Sequence, residues 1–194
     1  MRKLTIMEHT SLDGVVQLSD DDDGFPHGDW PAPYRSPAGR DAVLAAQGEV
    51  FDLLLGRRTY DIWAGAWGVW SEDADGTMGE FTRRYNRVPK YVASATASEL
   101  GWRNSHLLGP DVPAAVARLR EEPGGEIRVW GSTVLVRTLA AHDLIDEYRL
   151  MVYPIVLGTG KKLFPDGFAR TRLQPVETRG LASGVVVSTY RRRV

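Results

Sequence analysis

Short apolar runs alternate with segments of helical spacing along this chain, and that alternation constrains its fold more than any other feature. Phe51-Asp52-Leu53-Leu54-Leu55-Gly56 reads as a buried strand closed by glycine. Leu4 to Met7, Lys90-Tyr91-Val92-Ala93-Ser94 and Glu126-Ile127-Arg128-Val129-Trp130 read as further strands. Helical segments lie between them. Ser36 followed by Pro37 is a capped helix start, and the helix carries Val43 and Leu44 until Gly48 ends it. Met78, Phe81 and Tyr85 mark a second helix before Pro89, and Val112, Val116 and Leu119 a third before Pro123-Gly124-Gly125. Gly131-Ser132-Thr133 leads straight into a helix with Val134, Leu135 and Leu139. Tyr148, Leu150 and Val152 alternate with Arg149, Met151 and Tyr153, and Val185, Val187 and Thr189 alternate near the C-terminus. This order predicts an α/β domain with a largely parallel sheet and an antiparallel end. No repeat and no long linker interrupts it, so one domain over residues 1–194 is expected.

Composition narrows the function. The 194 residues are 43% apolar and 25% charged, the balance of a globular domain with a real core. The absence of cysteine removes disulfides, thiolate nucleophiles and Cys-type metal sites. A net charge of −1 argues against nucleic acid as a partner. No apolar run nears the roughly 18–20 residues a membrane span needs, and Glu8 interrupts the N-terminus too early for a signal-peptide core. A cytoplasmic domain handling small molecules is the expectation. His9, His27, His106 and His142 lack ligand spacing, so no metal is assigned. The run Asp20 to Asp23, in a Pro-rich stretch, reads as a solvated segment.

Three motifs bear on chemistry. In Val129-Trp130-Gly131-Ser132-Thr133, glycine between strand and helix lets the backbone approach a ligand, and the helix start presents free N–H groups. The motif suits a phosphate or pyrophosphate, and equally a tight turn with a capping serine. Arg57 and Arg58 follow the buried strand in Leu55-Gly56-Arg57-Arg58-Thr59-Tyr60, where open α/β sheets place ligands. Their guanidinium groups suit a second phosphate, such as the 2′-phosphate of NADP, or a plain solvated surface. Leu157-Gly158-Thr159-Gly160-Lys161-Lys162 fits neither a dinucleotide fingerprint nor a phosphate loop and reads as a glycine-rich turn. Trp63, Trp67 and Trp70 suit the floor of a planar-ligand pocket, or packing under a loop or at a dimer interface.

Taken in order, Ser11-Leu12-Asp13-Gly14, Leu54 to Tyr60, Val129 to Ser132, Leu144-Ile145-Asp146-Glu147-Tyr148 and Pro154 to Phe164 resemble the dihydrofolate reductase-like superfamily. The nearest branch is related to the reductase domain of the bifunctional riboflavin-biosynthesis deaminase–reductase. The resemblance implies a three-layer α/β fold: a mainly parallel twisted sheet, an antiparallel C-terminal strand and helices on both faces. It implies NADPH as cofactor, with Arg57 and Thr59 by the adenosine phosphates, Ser94 beside them, and Gly131, Ser132 and Thr133 on the pyrophosphate. Asp13 matches an acidic position near the substrate, and Asp41 is the nearest candidate for the pteridine-binding carboxylate. Dihydrofolate reductases carry two glycines where this chain has Gly131-Ser132. The implied activity is NADPH-dependent hydride transfer to a C=N or C=O bond of a small heterocycle such as a pteridine or ribosylaminopyrimidine. A nucleotide-binding module of the same fold without turnover is the alternative. A homodimer is the family expectation.

Overall fold

The computed structural model describes residues 1–19, 24–48, 50–96 and 99–193, so the Asp20–Asp23 run lies outside the described residues. Eight strands among them form one sheet: β1 (Leu4–Ser11), β2 (Phe51–Gly56), β3 (Lys90–Ala93), β4 (Ser105–Leu108), β5 (Glu126–Trp130), β6 (Glu147–Tyr153), β7 (Leu173–Gly180) and β8 (Val186–Arg192). Their order across the sheet is β4-β3-β2-β5-β1-β6-β8-β7. The strands from β4 to β6 run parallel, whereas β8 is antiparallel to β6 and β7 antiparallel to β8. The expected antiparallel end is therefore a hairpin of two strands.

Among the described residues five α-helices pack on the two faces: α1 (Pro37–Gln47), α2 (Arg57–Ala66), α3 (Gly76–Arg87), α4 (Val112–Glu121) and α5 (Thr133–Ala141). Ser36 caps α1 as expected, its Oγ accepting the Gly39 N–H at 3.0 Å. Apolar residues sort into two cores by strand alternation. Leu4, Ile6, Leu54 and Val129 join α4 and α5 on one face, through Val116, Leu119 and Leu135. Met7, Leu53, Leu55 and Trp130 join α2 and α3 on the other, through Tyr60, Phe81 and Tyr85. The continuous run Leu53-Leu54-Leu55 is thus explained: the strand is buried on both sides, and each such side chain contributes roughly 1.5–3 kcal/mol.

At the amino ends of the central strands, charges close the sheet. Arg149 pairs with both Glu126 and Glu147, Lys3 with Glu147, and buried Arg128 with Glu126. The opposite, carboxyl ends stay open. Among the described residues no helix is long and apolar enough to cross a membrane.

Candidate functional site

β2 and β5 are neighbours, yet the helices that follow them go to opposite faces, α2 to one core and α5 to the other. A crevice must open between the two strand ends, the position where open α/β sheets bind ligands. The cavity there has a volume of about 1260 Å³. That exceeds the roughly 300–1,000 Å³ of a single-ligand pocket, leaving room for two molecules side by side.

One half is polar and built from two loops. Gly131 and Ser132 both have left-handed backbone, with φ of 60° and 63°. For Ser132 this costs about 1–2 kcal/mol. Side-chain bonds hold it: Ser132 Oγ accepts the Gly56 N–H at 2.8 Å and lies 2.8 Å from Thr59 Oγ1. A side chain at Gly131 would place Cβ 2.7 Å from that same Thr59 oxygen, so only glycine fits. The loops after β2 and β5 are thereby clamped together. The first intrahelical bond of α5 runs from Val136 N–H to Ser132 O, so the N–H groups of Thr133, Val134 and Leu135 face the cavity's side of the helix start. Arg57 opens α2, its Nε donating to both Asp61 oxygens at 2.8 and 2.9 Å, and Ser94 lines the cavity past the end of β3.

The other half is aromatic. Trp63, Trp67, Phe81, Tyr85 and Trp130 line it, with Trp63 centred 4.8 Å from Tyr85 and 5.8 Å from Trp130. Trp70 packs against Trp67 at the surface, 46% exposed and outside this cavity.

Six of the residues singled out from sequence therefore meet at one cavity: Arg57, Thr59, Ser94, Gly131, Ser132 and Thr133. The Ser132 hydroxyl oxygen also accepts the Gly56 N–H and meets Thr59 Oγ1. The two carboxylates lie elsewhere. Asp13 receives the Ser11 hydroxyl at 2.7 Å and the Leu157 and Gly158 N–H groups at 3.1 and 2.9 Å. Those bonds, the Ser11 hydroxyl first, pull its pKa down to about 2, and they tie the turn after β1 to the glycine-rich turn. Asp41 is exposed on α1 and accepts from Thr77 Oγ1 at 2.8 Å.

Two residues that sequence reading passed over do line the cavity. Glu8 is the one acid among its described lining residues. It is 4% exposed, burial pushes its pKa up to about 8, and the nearby Gly131 N–H acts against that trend. His9, on the other face of β1, shares a hydrogen bond between Nδ1 and the Tyr153 hydroxyl at 2.8 Å. Loss of water around it, with the positive Arg35 nearby, lowers its pKa to about 4. The signal for both was position: an acid or histidine in a central strand covered on both faces has to be buried.

Comparison with known proteins bears on the family and the fold. A family profile described as the RibD C-terminal domain matches residues 2–187. The Bacillus subtilis protein YyaP is 34% identical over 142 residues, covering 73% of this chain and 74% of that protein. A structure from Shewanella sp. PV-4, whose name assigns it to riboflavin biosynthesis, superposes with a TM-score of 0.74 at 23% identity, covering 99% of both chains. Dihydrofolate reductase from Enterococcus faecalis, complexed with NADP(H), does so with a TM-score of 0.61 at 14% identity, covering 99% of this chain and 97% of that one. These two likenesses show the fold.

Proposed function

The chain belongs to the RibD C-terminal domain family, and on that premise we propose that it is an NADPH-dependent reductase of a small heterocyclic substrate. One observation carries the reading: a single cavity, large enough for two ligands, has the open start of α5 on one side and an aromatic wall on the other. The donor set suits a dinucleotide. The α5 N-terminus offers backbone N–H groups and a positive dipole end to a diphosphate, and Gly131 leaves the backbone bare beside it. Arg57 and Arg58, at the start of α2, suit a further phosphate on the ribose. NADPH, when bound, supplies the hydride. The protein's part is to hold a planar ring of the substrate on Trp63 and Trp130, to exclude water, and to fix the C=N or C=O carbon in reach of the nicotinamide.

Steady-state NADPH oxidation with a panel of pteridines and ribosylaminopyrimidines tests this. Turnover with one class is expected. Tight NADPH binding without turnover on any substrate would assign the chain to nucleotide binding alone.

A further inference from the structure

Alternation along β1 puts Glu8 on the face of Leu4 and Ile6, at the next position of that face after Ile6. The Gly131 N–H lies beside its carboxyl, while Oε1 has no hydrogen-bond partner among the described residues. A buried polar atom left unpaired in a cavity wall is costly unless a ligand meets it.

Among the described residues no basic side chain pairs with Glu8. On this face β5 presents Val129, β6 presents Leu150 and Tyr148, and α5 presents Leu135. Tyr148 is neutral there, its pKa raised to about 12 by burial. His9 points to the opposite face, and Arg57, Arg58 and Lys161 line the same cavity without an ion pair to Glu8. In such a place a carboxyl group keeps its proton and becomes a donor.

We infer that Glu8 acts as a neutral carboxylic acid, donating a hydrogen bond from Oε1 to an oxygen of the bound dinucleotide, and that its ionised form excludes this anionic ligand. The inference rests on the dinucleotide reading above. Glu8 lies beside the N–H of Gly131, at the threshold of the helix that would hold the diphosphate. A carboxylate there would set like charges together in a water-poor cleft. The competing role is purely structural: the carboxyl only pins the left-handed Gly131, and glutamine would do so equally well.

NADPH affinity measured by calorimetry from pH 7 to about pH 9.5, in buffers of different ionisation heat, separates the two. Wild-type affinity is expected to hold up to about pH 8 and then weaken about tenfold per unit, with one proton taken up per NADPH bound. Glu8→Gln keeps an acceptor for Gly131 and a donor for the ligand, so it should bind with no proton uptake and no such slope. The proton count on wild type needs no variant. Binding without proton uptake above pH 8, or the same slope in Glu8→Gln, overturns the role of Glu8 alone. Absence of NADPH binding at every pH overturns the dinucleotide reading, and this inference with it.

Discussion

Thr59 and Ser132 meet across the two loops of the cleft with their hydroxyl oxygens 2.8 Å apart, and Ser132 also takes the Gly56 N–H. The serine serves the protein from a backbone conformation that serines avoid. Its hydrogen bonds oppose its strain, and substitution can separate the two.

Ser132→Ala removes both bonds, leaves the Gly56 N–H unsatisfied and keeps the left-handed strain. A loss of about 1–3 kcal/mol in urea denaturation is expected. Ser132→Gly loses the same bonds but relieves about 1 kcal/mol of strain. The glycine variant should therefore be the more stable of the two. The reverse order would show that the clamp, as described, does not hold this loop.

Gly131→Ala sets its new Cβ 2.7 Å from Thr59 Oγ1 at a φ of 60°. Strain and clash together should cost more than the roughly 1–2 kcal/mol of the conformation alone, and nucleotide affinity should fall as the loops part. Thr59→Ala removes the clashing oxygen. In a double-mutant cycle the alanine at 131 should cost measurably less in that background. Additive effects would disconnect the two residues.

On the proposed dinucleotide reading, Arg57 at the start of α2 takes the 2′-phosphate that distinguishes NADPH from NADH. Charge-assisted bonds of this kind are worth roughly 1.5–3 kcal/mol, about ten- to a hundredfold in affinity. Wild type should prefer NADPH by that factor and Arg57→Ala should lose most of the preference, with NADH affinity nearly unchanged. Titration of both cofactors into both proteins checks it; equal wild-type affinities would remove Arg57 from the site.

Much of this cleft is legible in sequence, because the residues that make it also punctuate the chain. Gly56 and Gly131 end strands, and Ser36 and Pro37 begin a helix, so their roles follow from local rules. β4 and β7 are not legible in that way. Ser105–Leu108 is a four-residue edge strand, and Leu173–Gly180 is exposed along nearly all its length and contains Pro175, so neither carries a buried-strand pattern. α2 begins directly at Arg57 with no capping side chain, which leaves its arginines looking like a loop. Glu8 and His9 escape for a different reason. Ending the first strand at Met7 leaves them outside it, whereas pairing with β6 carries the strand on to Ser11. Only that long-range pairing buries Glu8 and half-buries His9.

Glu8 and His9 are adjacent in β1 and should bend the stability curve in opposite senses. The folded His9 titrates at about 4 against an ordinary 6.5, so its neutral form is the native one. Its contribution is complete above pH 6.5 and is lost as pH falls through 4. The folded Glu8 titrates at about 8 against 4.5, again with the neutral form native. Its contribution is complete below pH 4.5 and is lost as pH rises through 8. Between pH 4.5 and 6.5 the two slopes, each up to about 1.4 kcal/mol per unit, oppose one another and largely cancel. Relative to wild type over this window, His9→Gln should therefore lose stability as pH rises, and Glu8→Gln should gain it. Glutamine at position 9 can still accept from Tyr153, so the comparison isolates the proton from the hydrogen bond. Urea midpoints at several pH values read both slopes directly; curves parallel to wild type in both variants would mean that neither group is neutral in the fold.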